Sequence, residues 1–270
     1  MNKSGHLATA VAAGMGSLIF LPSLNASTSL LPAISLIVGA AIGGGAPDFD
    51  HKTSTASNMI QFSSKRRQQL KLWSIGLFII GTFLWAWGKY MIPGVADHLF
   101  QVGPLMIGTA LICSMMARMR TLVLCSLGII LLWGFYQNDW HILSAVSGIA
   151  FLIMPFVKHR GIIHSPEFAL LLSYSFWLFG SSAEGILLQA ALLGFIIGWW
   201  AHMVSDCFGR EGISSLFLPK LKIALRLFHN GGHTEKWIAR LCWTLSISGC
   251  LLLLVRNFND YGFLSLGIFH

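Results

Sequence analysis

The histidine and aspartate residues of this 270-residue chain gather in four short clusters, and each cluster adjoins a long apolar stretch. The clusters are Gly5-His6, Pro47-Asp48-Phe49-Asp50-His51, the segment 159–165 with a histidine at each side of Gly161, and His202-Met203-Val204-Ser205-Asp206. Such side chains are rare and costly at a membrane, and together they suit Zn, Fe or Mn. The clusters therefore predict a metal or catalytic centre.

The composition indicates an all-α, polytopic integral membrane protein. Hydrophobic residues make up 55% of the chain and charged residues 10%, with a mean hydropathy of +0.69. A soluble protein usually carries about 25% charged residues. We expect one membrane-embedded domain over residues 1–270, without a separate secretory signal. The five cysteines form no CxxC pair, so a disulfide framework is not expected, and Cys207 alone lies near the predicted centre.

Hydropathy predicts about nine transmembrane helices, some of which are short enough to be re-entrant. The candidate segments are 6–22, 30–46, 72–92, 99–117, 121–137, 140–157, 166–181, 185–205 and 240–256. The stretch 207–239 is the longest segment of low apolarity and is expected to be a cytoplasmic loop.

The positive charges favour one orientation of these segments. With the N-terminus in the cytoplasm, 16 of the 18 Lys and Arg residues fall in inner loops, and only Lys89 and Arg256 fall outside. The net charge of +8 then reflects the topology of the chain, and no direct nucleic-acid partner is expected. Binding of anionic lipid headgroups is a compatible further role for these residues. The same arrangement brings all four His/Asp clusters to the cytoplasmic face.

Two of the clusters have spacings that suit a cation. His202 and Asp206 are four residues apart and share one face of a helix, although an interfacial histidine with a capping aspartate gives the same pattern. After the helix-breaking Pro47, the sequence Asp-Phe-Asp-His offers two carboxylates and an imidazole, and the alternative there is an Asx turn.

The segment 159–165 has two histidines that flank a glycine. Arg160 suits the binding of a phosphate or carboxylate group because its planar guanidinium binds such oxyanions in a bidentate manner; the alternative is a positive-inside anchor. Ser165 and Pro166 predict a helix start. Glu167 is expected to interact with the dipole of that helix, with roles as a ligand or a base left open. His6 begins the first helix, and a short hairpin would return the second helix to its side.

These residues resemble the YdjM-like family of bacterial inner-membrane metal-dependent hydrolases, whose prototype is described as LexA-binding. The resemblance spans nearly the whole chain and rests on the four clusters together with Gly212-x-x-x-Leu216-Phe217-x-Pro219 and Gly231-Gly232-x-x-Glu235. The sequence departs from the family pattern at Ile163 and in the segment that follows Asp206, which begins at Cys207, because the family is expected to have a threonine at each place. The family is distantly similar to zinc-dependent phospholipases C and related nucleases, which implies phosphoester hydrolysis by analogy of fold.

The resulting hypothesis is a metal-dependent hydrolase of the inner membrane that acts on a phosphoester or lipid and binds Zn, or else Mn or Fe. Arg160 and Asp50 are the expected catalytic residues. The expected metal ligands are His6, Asp48, Asp50, His51, His159, His164, His202 and Asp206. The alternatives are a transporter of divalent cations or protons, and a metal-stabilised scaffold that binds a cytoplasmic regulator such as LexA.

Overall fold

The structure, a computed structural model, is almost entirely helical. It describes residues 1–21, 30–50, 55–90, 96–138, 140–157, 161–218 and 221–266. Five of its helices are long and apolar enough to cross a membrane, and most of their residues face outward from the protein. The prediction of an all-α membrane protein is confirmed.

Ten α-helices and one two-stranded antiparallel sheet make up the described chain. The helices are α1 (Lys3–Ser17), α2 (Leu31–Gly45), α3 (Thr55–Met59), α4 (Ser64–Tyr90), α5 (Ala96–Ala117), α6 (Met119–Gln137), α7 (Ile142–Ile153), α8 (Pro166–Ser182), α9 (Ile186–Phe208) and α10 (His233–Leu266). Short 3₁₀ turns lie at Leu18–Phe20, Pro47–Asp50 and Ile162–His164. Strands β1 (Ile213–Ser214) and β2 (Lys222–Ile223) form a hairpin between α9 and α10.

Each of the nine predicted segments overlaps one of these helices, but several boundaries differ. The last helix begins at His233, so its first turns occupy part of the predicted loop 207–239, and the hairpin occupies the middle of that loop. The spanning candidates are α4, α5, α6, α9 and α10, while α2 and α7 are shorter apolar helices. Nine crossings, a cytoplasmic N-terminus and the similarity to phospholipases C stay predictions.

Helices α2 and α9 pack backbone against backbone through glycines on both partners. A Cβ atom at Gly43 would lie 2.1 Å from the carbonyl oxygen of Phe195, and one at Gly198 would lie 2.0 Å from that of Ala40. Gly39 and Gly194 make equivalent contacts one turn away along each helix. Small residues allow such close approach in membranes, where helix association depends on van der Waals packing. This contact fixes the separation of the two helices that carry His202 and Asp48.

The remaining helices surround this pair in a regular order. Helix α1 packs against α2, α9 and α10, while α8 packs against α9 and α7 packs against both α8 and α6. A buried core that includes Ile163, Trp199 and Met203 lies directly behind the ends of α8 and α9. Helices α4 and α5 form a hairpin of their own, with Gly81 against Gly103. The described residues of the four clusters, His6, Asp48, His164, His202 and Asp206, therefore meet where α1, α2, α8 and α9 come together.

We predict that Gly43→Ala destabilises the protein and that Gly45→Ala does not. The added methyl at position 43 would meet the Phe195 carbonyl, whereas a Cβ at Gly45 has nothing within 4 Å. Overpacking of this kind costs about 1–3 kcal/mol of unfolding free energy. The midpoint of thermal unfolding in detergent, compared between the two variants, checks this. Equal midpoints would contradict the proposed backbone contact.

Candidate metal centre

Five of the predicted ligands meet in one buried cluster at the ends of four helices. They are His6 from the first turns of α1, Asp48 from the turn after α2, His164 from the turn before α8, and His202 and Asp206 from the end of α9. His164, His202 and Asp206 are fully buried, and His6 is 2% exposed. Burying so many ionisable groups is costly unless they are paired or bind a metal.

His202 is oriented by the neighbouring helix. Its Nδ1–H donates a hydrogen bond to the Gly44 carbonyl oxygen at 2.7 Å. A carbonyl can only accept, so in the neutral ring the lone pair lies on Nε2. That atom is 3.4 Å from Asp206 Oδ2 and 3.9 Å from Asp48 Oδ1, and no described residue donates a hydrogen bond to it. Metal-ligating histidines are commonly oriented by such a bond from the other ring nitrogen.

His6 is oriented in the same way by Ser205. The Ser205 hydroxyl donates to the His202 carbonyl oxygen and accepts from His6 Nδ1 at 2.8 Å. His6 Nε2 then presents its lone pair to Asp206 Oδ1 at 3.3 Å, and its ring stacks on His202 with centroids 3.7 Å apart. The amino group of Met1 also lies 3.3 Å from Asp206 Oδ1. Ser205 lies inside the predicted motif but was not predicted to have a role.

His164 and Asp48 complete the cluster from the opposite side. His164 Nε2 lies 3.9 Å from Asp48 Oδ1 and 4.0 Å from Asp206 Oδ2. The Asp48 side chain keeps 29% of its surface exposed, whereas that of Asp206 keeps 1%. Asp48 therefore marks the side from which a small molecule could reach the cluster.

The geometry brings hydrogen-bond acceptors face to face. The oriented lone pairs of His6 and His202 point at the two carboxylate oxygens of Asp206, a repulsive arrangement that protons or a cation must offset, and the Met1 ammonium that donates to Asp206 Oδ1 offsets part of it. A tetrahedral Zn²⁺ site, with bonds of about 2.0–2.2 Å, has ligand atoms about 3.3–3.6 Å apart. Of the separations around Asp48, His164, His202 and Asp206, the one between His202 and Asp206 is 3.4 Å and lies in this range, while the other three are 3.9–4.0 Å and exceed it slightly.

The described part of the chain contains two overlapping sets of candidate metal ligands. One consists of His6, His202 and Asp206, and the other of Asp48, His164 and His202, with the ligand atoms of each set within 4.8 Å of one another. His202 belongs to both sets but has only one nitrogen available, and Asp206 directs one oxygen toward each set. The residues therefore fit one divalent transition ion, with Asp206 able to bridge to a second.

Arg120 supports the turn that carries Asp48. It is 6% exposed, and its Nε donates to Ser57 Oγ at 3.0 Å while Nη2 donates to the Phe49 carbonyl oxygen at 3.3 Å. The sequence placed Arg120 only among the positive charges of an inner loop. No motif surrounds it, so its contact with a turn 71 residues away could not be predicted.

Two glutamates hold the polypeptide around the cluster. The Glu167 carboxylate accepts hydrogen bonds from the Ser215 hydroxyl and from the Leu216 N–H, which attaches the hairpin segment to the start of α8. Glu235 is buried and accepts from the N–H groups of Asn2 and Gly231 at 2.8 and 2.7 Å. The glutamate of the family motif Gly231-Gly232-x-x-Glu235 thus connects α10 to the segment that precedes α1.

The structure also shows the cap of α8 and the state of the cysteines. Ser165 caps α8, where its hydroxyl accepts from the Phe168 N–H at 3.2 Å, so that prediction is confirmed. All five cysteines are free, and Cys207 belongs to neither ligand set in the described chain. His51, His159 and Arg160 lie outside the described residues, as does the side chain of Asp50. Their roles stay predictions.

Comparison with known proteins identifies the family. A family model described as YdjM inner membrane protein matches residues 1–262. The chain belongs to the YdjM inner membrane protein family. No curated protein and no solved structure matches the chain at a significant level. The predicted resemblance is confirmed, and membership of the YdjM family supports a location in the inner membrane.

We predict that Zn²⁺ raises the unfolding temperature of the chelator-treated protein and that His202→Ala abolishes this increase. Removing the imidazole deletes the one nitrogen shared by both ligand sets. A ligand present at a hundredfold excess over its Kd stabilises the folded state by about 2.7 kcal/mol. Thermal unfolding in detergent, with EDTA and then with added Zn²⁺, measures the effect.

His229→Ala is the matched control, because His229 is exposed and lies outside both ligand sets. This variant should keep the full Zn²⁺-dependent increase. An increase that persists in His202→Ala, or that disappears in His229→Ala, would place the bound ion elsewhere.

Proposed function

We propose that the protein is a metal-dependent hydrolase of the inner membrane, with its centre at the cytoplasmic face and a phosphoester as its substrate. The observation that carries this proposal is the face-to-face arrangement of oriented imidazole lone pairs and carboxylate oxygens around Asp206. A stable fold would place these acceptors together most readily around a cation. Zn²⁺ suits the mixture of His and Asp ligands best, with Mn or Fe as the other candidates.

The ligands of the proposed ion are Asp48, His164, His202 and Asp206, with His6 beside Asp206 as a ligand for a second ion. Asp50, His51 and His159 are further candidates from the sequence. A metal in such a site lowers the pKa of bound water and polarises the phosphoryl group. Gly44 and Ser205 hold the two imidazoles in orientation through their hydrogen bonds.

The exposed side of Asp48 gives the proposed site its opening. Water would reach the proposed ion there, because the other four side chains of the cluster are buried. Arg160 would bind the phosphate oxygens in a bidentate manner, and Asp50 would accept a proton. In the reaction, the oxygen of water forms a bond to phosphorus, the ester P–O bond breaks, and the departing alkoxide takes up a proton.

The location of the cluster favours an enzyme over a transporter. His6 and His164 lie at or before the first turns of their helices, Asp48 follows the last turn of α2, and Asp206 is two residues from the end of α9. Transport sites in membranes typically lie near the middle of the bilayer, at interruptions within helices. A cluster at helix ends instead has access to the aqueous phase and to lipid headgroups.

We predict that metal-loaded protein hydrolyses a phosphoester and that Asp206→Asn abolishes this activity. The amide oxygen is a weaker metal ligand, and the substitution removes the negative charge between His6 and His202. Phospholipids, soluble phosphodiesters and acyl esters, assayed in detergent and in liposomes, cover the expected substrate classes. Arg160→Lys should lower turnover while it leaves metal content intact.

Glu184→Gln is the matched control, since it changes a carboxylate to an amide at a position remote in sequence from every cluster residue. It should retain wild-type activity. If metal-loaded wild type hydrolyses none of these substrates but moves a divalent ion or protons across a sealed liposome, the protein is a transporter.

A further inference from the structure

An apolar groove of about 790 Å³ runs along the outside of the bundle between α9 and α10, with α1 as its floor. Its size is within the range of about 300–1,000 Å³ that is typical of ligand sites. Ala13 forms part of the floor, Ile197 and Ala201 line one wall, and Ile238 and Cys242 line the other. Both walls belong to helices long and apolar enough to span the membrane, and in a bilayer the groove would therefore face hydrocarbon.

The groove presents almost no polar groups to an occupant. The Thr9 hydroxyl donates to the carbonyl oxygens of Gly5 and His6 in its own helix, and the Trp200 ring N–H donates to Ser173 on α8 at 2.9 Å. The groove is also open along its side, where Val204 is 50% exposed. A molecule that fills it must therefore be apolar and can enter from the bilayer.

The length of the groove matches one leaflet of a membrane. Along α9 it extends from Ile196 to Phe208, which at 1.5 Å per residue corresponds to about 18 Å. Half of the hydrocarbon thickness of a bilayer is about 15 Å. This agreement indicates an extended acyl chain that lies parallel to the helices and spans a single leaflet.

One end of the groove reaches the candidate metal centre. Ser205 lines the groove, and its hydroxyl accepts the hydrogen bond from His6 Nδ1. Ser205 is next to Asp206 in the sequence, and Leu227 and Phe228 border the same end from the segment before α10. An acyl chain bound here would place its polar headgroup beside the His/Asp cluster.

We propose that the groove between α9 and α10 binds one acyl chain of a membrane lipid and directs the phosphoester of that lipid toward the cluster of His6, His202 and Asp206. The claim that the bound lipid is the substrate rests on the proposed hydrolase function. The claim that the groove binds an acyl chain does not, because binding can be measured without turnover. The lipid would enter sideways from the leaflet, and no soluble carrier would be needed.

The binding test uses wild-type protein in nanodiscs that contain phosphatidylethanolamine and phosphatidylglycerol, with a diazirine at the end of one acyl chain of the phosphatidylglycerol. After illumination, mass spectrometry should find labels concentrated at the deep end of the groove, on Ile196, Ile197 and Cys242. The exposed outer face of α4, at Leu72 and Ile79, is the internal reference. Labelling no stronger in the groove than on α4 would overturn the proposal.

Substitutions that fill the groove should remove the labelling without affecting the metal centre. Ala13→Trp from the floor and Cys242→Trp from the opposite wall each add a large ring to the groove. Both should reduce groove labelling severalfold while the Zn²⁺-dependent stabilisation persists, which also confirms that each variant is folded. Leu245→Trp, at an exposed residue of α10 outside the groove, is the control and should label as wild type does.

Hydrolysis assays separate this proposal from the function on which it rests. The filled variants should lose turnover of phospholipid and keep turnover of a soluble phosphodiester. If groove labelling is strong but no phosphoester is hydrolysed, the binding proposal stands and the hydrolase function fails. If soluble diesters are hydrolysed but the filled variants still hydrolyse phospholipid at the wild-type rate, the function stands and the groove is not the route of the substrate.

Discussion

The backbone contact between α2 and α9 is the constraint on which the rest of the site depends. Gly39 and Gly43 on one helix, and Gly194 and Gly198 on the other, leave no room for a side chain at the contact. Only at this separation can the Gly44 carbonyl reach the His202 ring and fix its orientation. A glycine repeat that serves packing therefore also determines which nitrogen of His202 is directed into the cluster.

The electrostatic consequence of this packing connects the fold to the proposed chemistry. Oriented imidazoles and two carboxylates are enclosed at helix ends, where exposure to water is small and unpaired charge is costly. Ser205 orients His6, and Arg120 holds the turn that contains Asp48, so the cluster is supported by hydrogen bonds from outside the ligand set. Such supporting bonds hold metal ligands in position before the ion binds. The apolar groove beside Ser205 extends this arrangement to the surrounding lipid.

The sequence predicted those features that depend on local spacing or on membrane composition. His202 and Asp206 are neighbours because residues four apart lie on one helix face, and Ser165 caps α8 because a serine before proline favours that geometry. Hydropathy located the helices, and the charge asymmetry predicted that the clusters share one face of the membrane. The family followed from the order of the motifs.

The features that the sequence did not predict depend on contacts between distant segments. Arg120 was indistinguishable from the other basic residues of inner loops, although it is buried against the turn at Phe49. The roles of Ser205 and Gly44 depend on the rotation and separation of helices, which hydropathy does not determine. The early start of α10 at His233 escaped prediction because polar residues fill its first turns, where Glu235 contacts the N-terminal segment.

Elemental analysis of the gently purified protein tests the central claim most directly. We predict at least one divalent transition ion per chain, most of it Zn, and a marked loss in His164→Ala, which removes a fully buried candidate ligand. His141→Ala, at the cap of α7 and outside both ligand sets, should keep the full content. Well-folded protein that contains no metal and takes up neither Zn, Mn nor Fe would contradict the account.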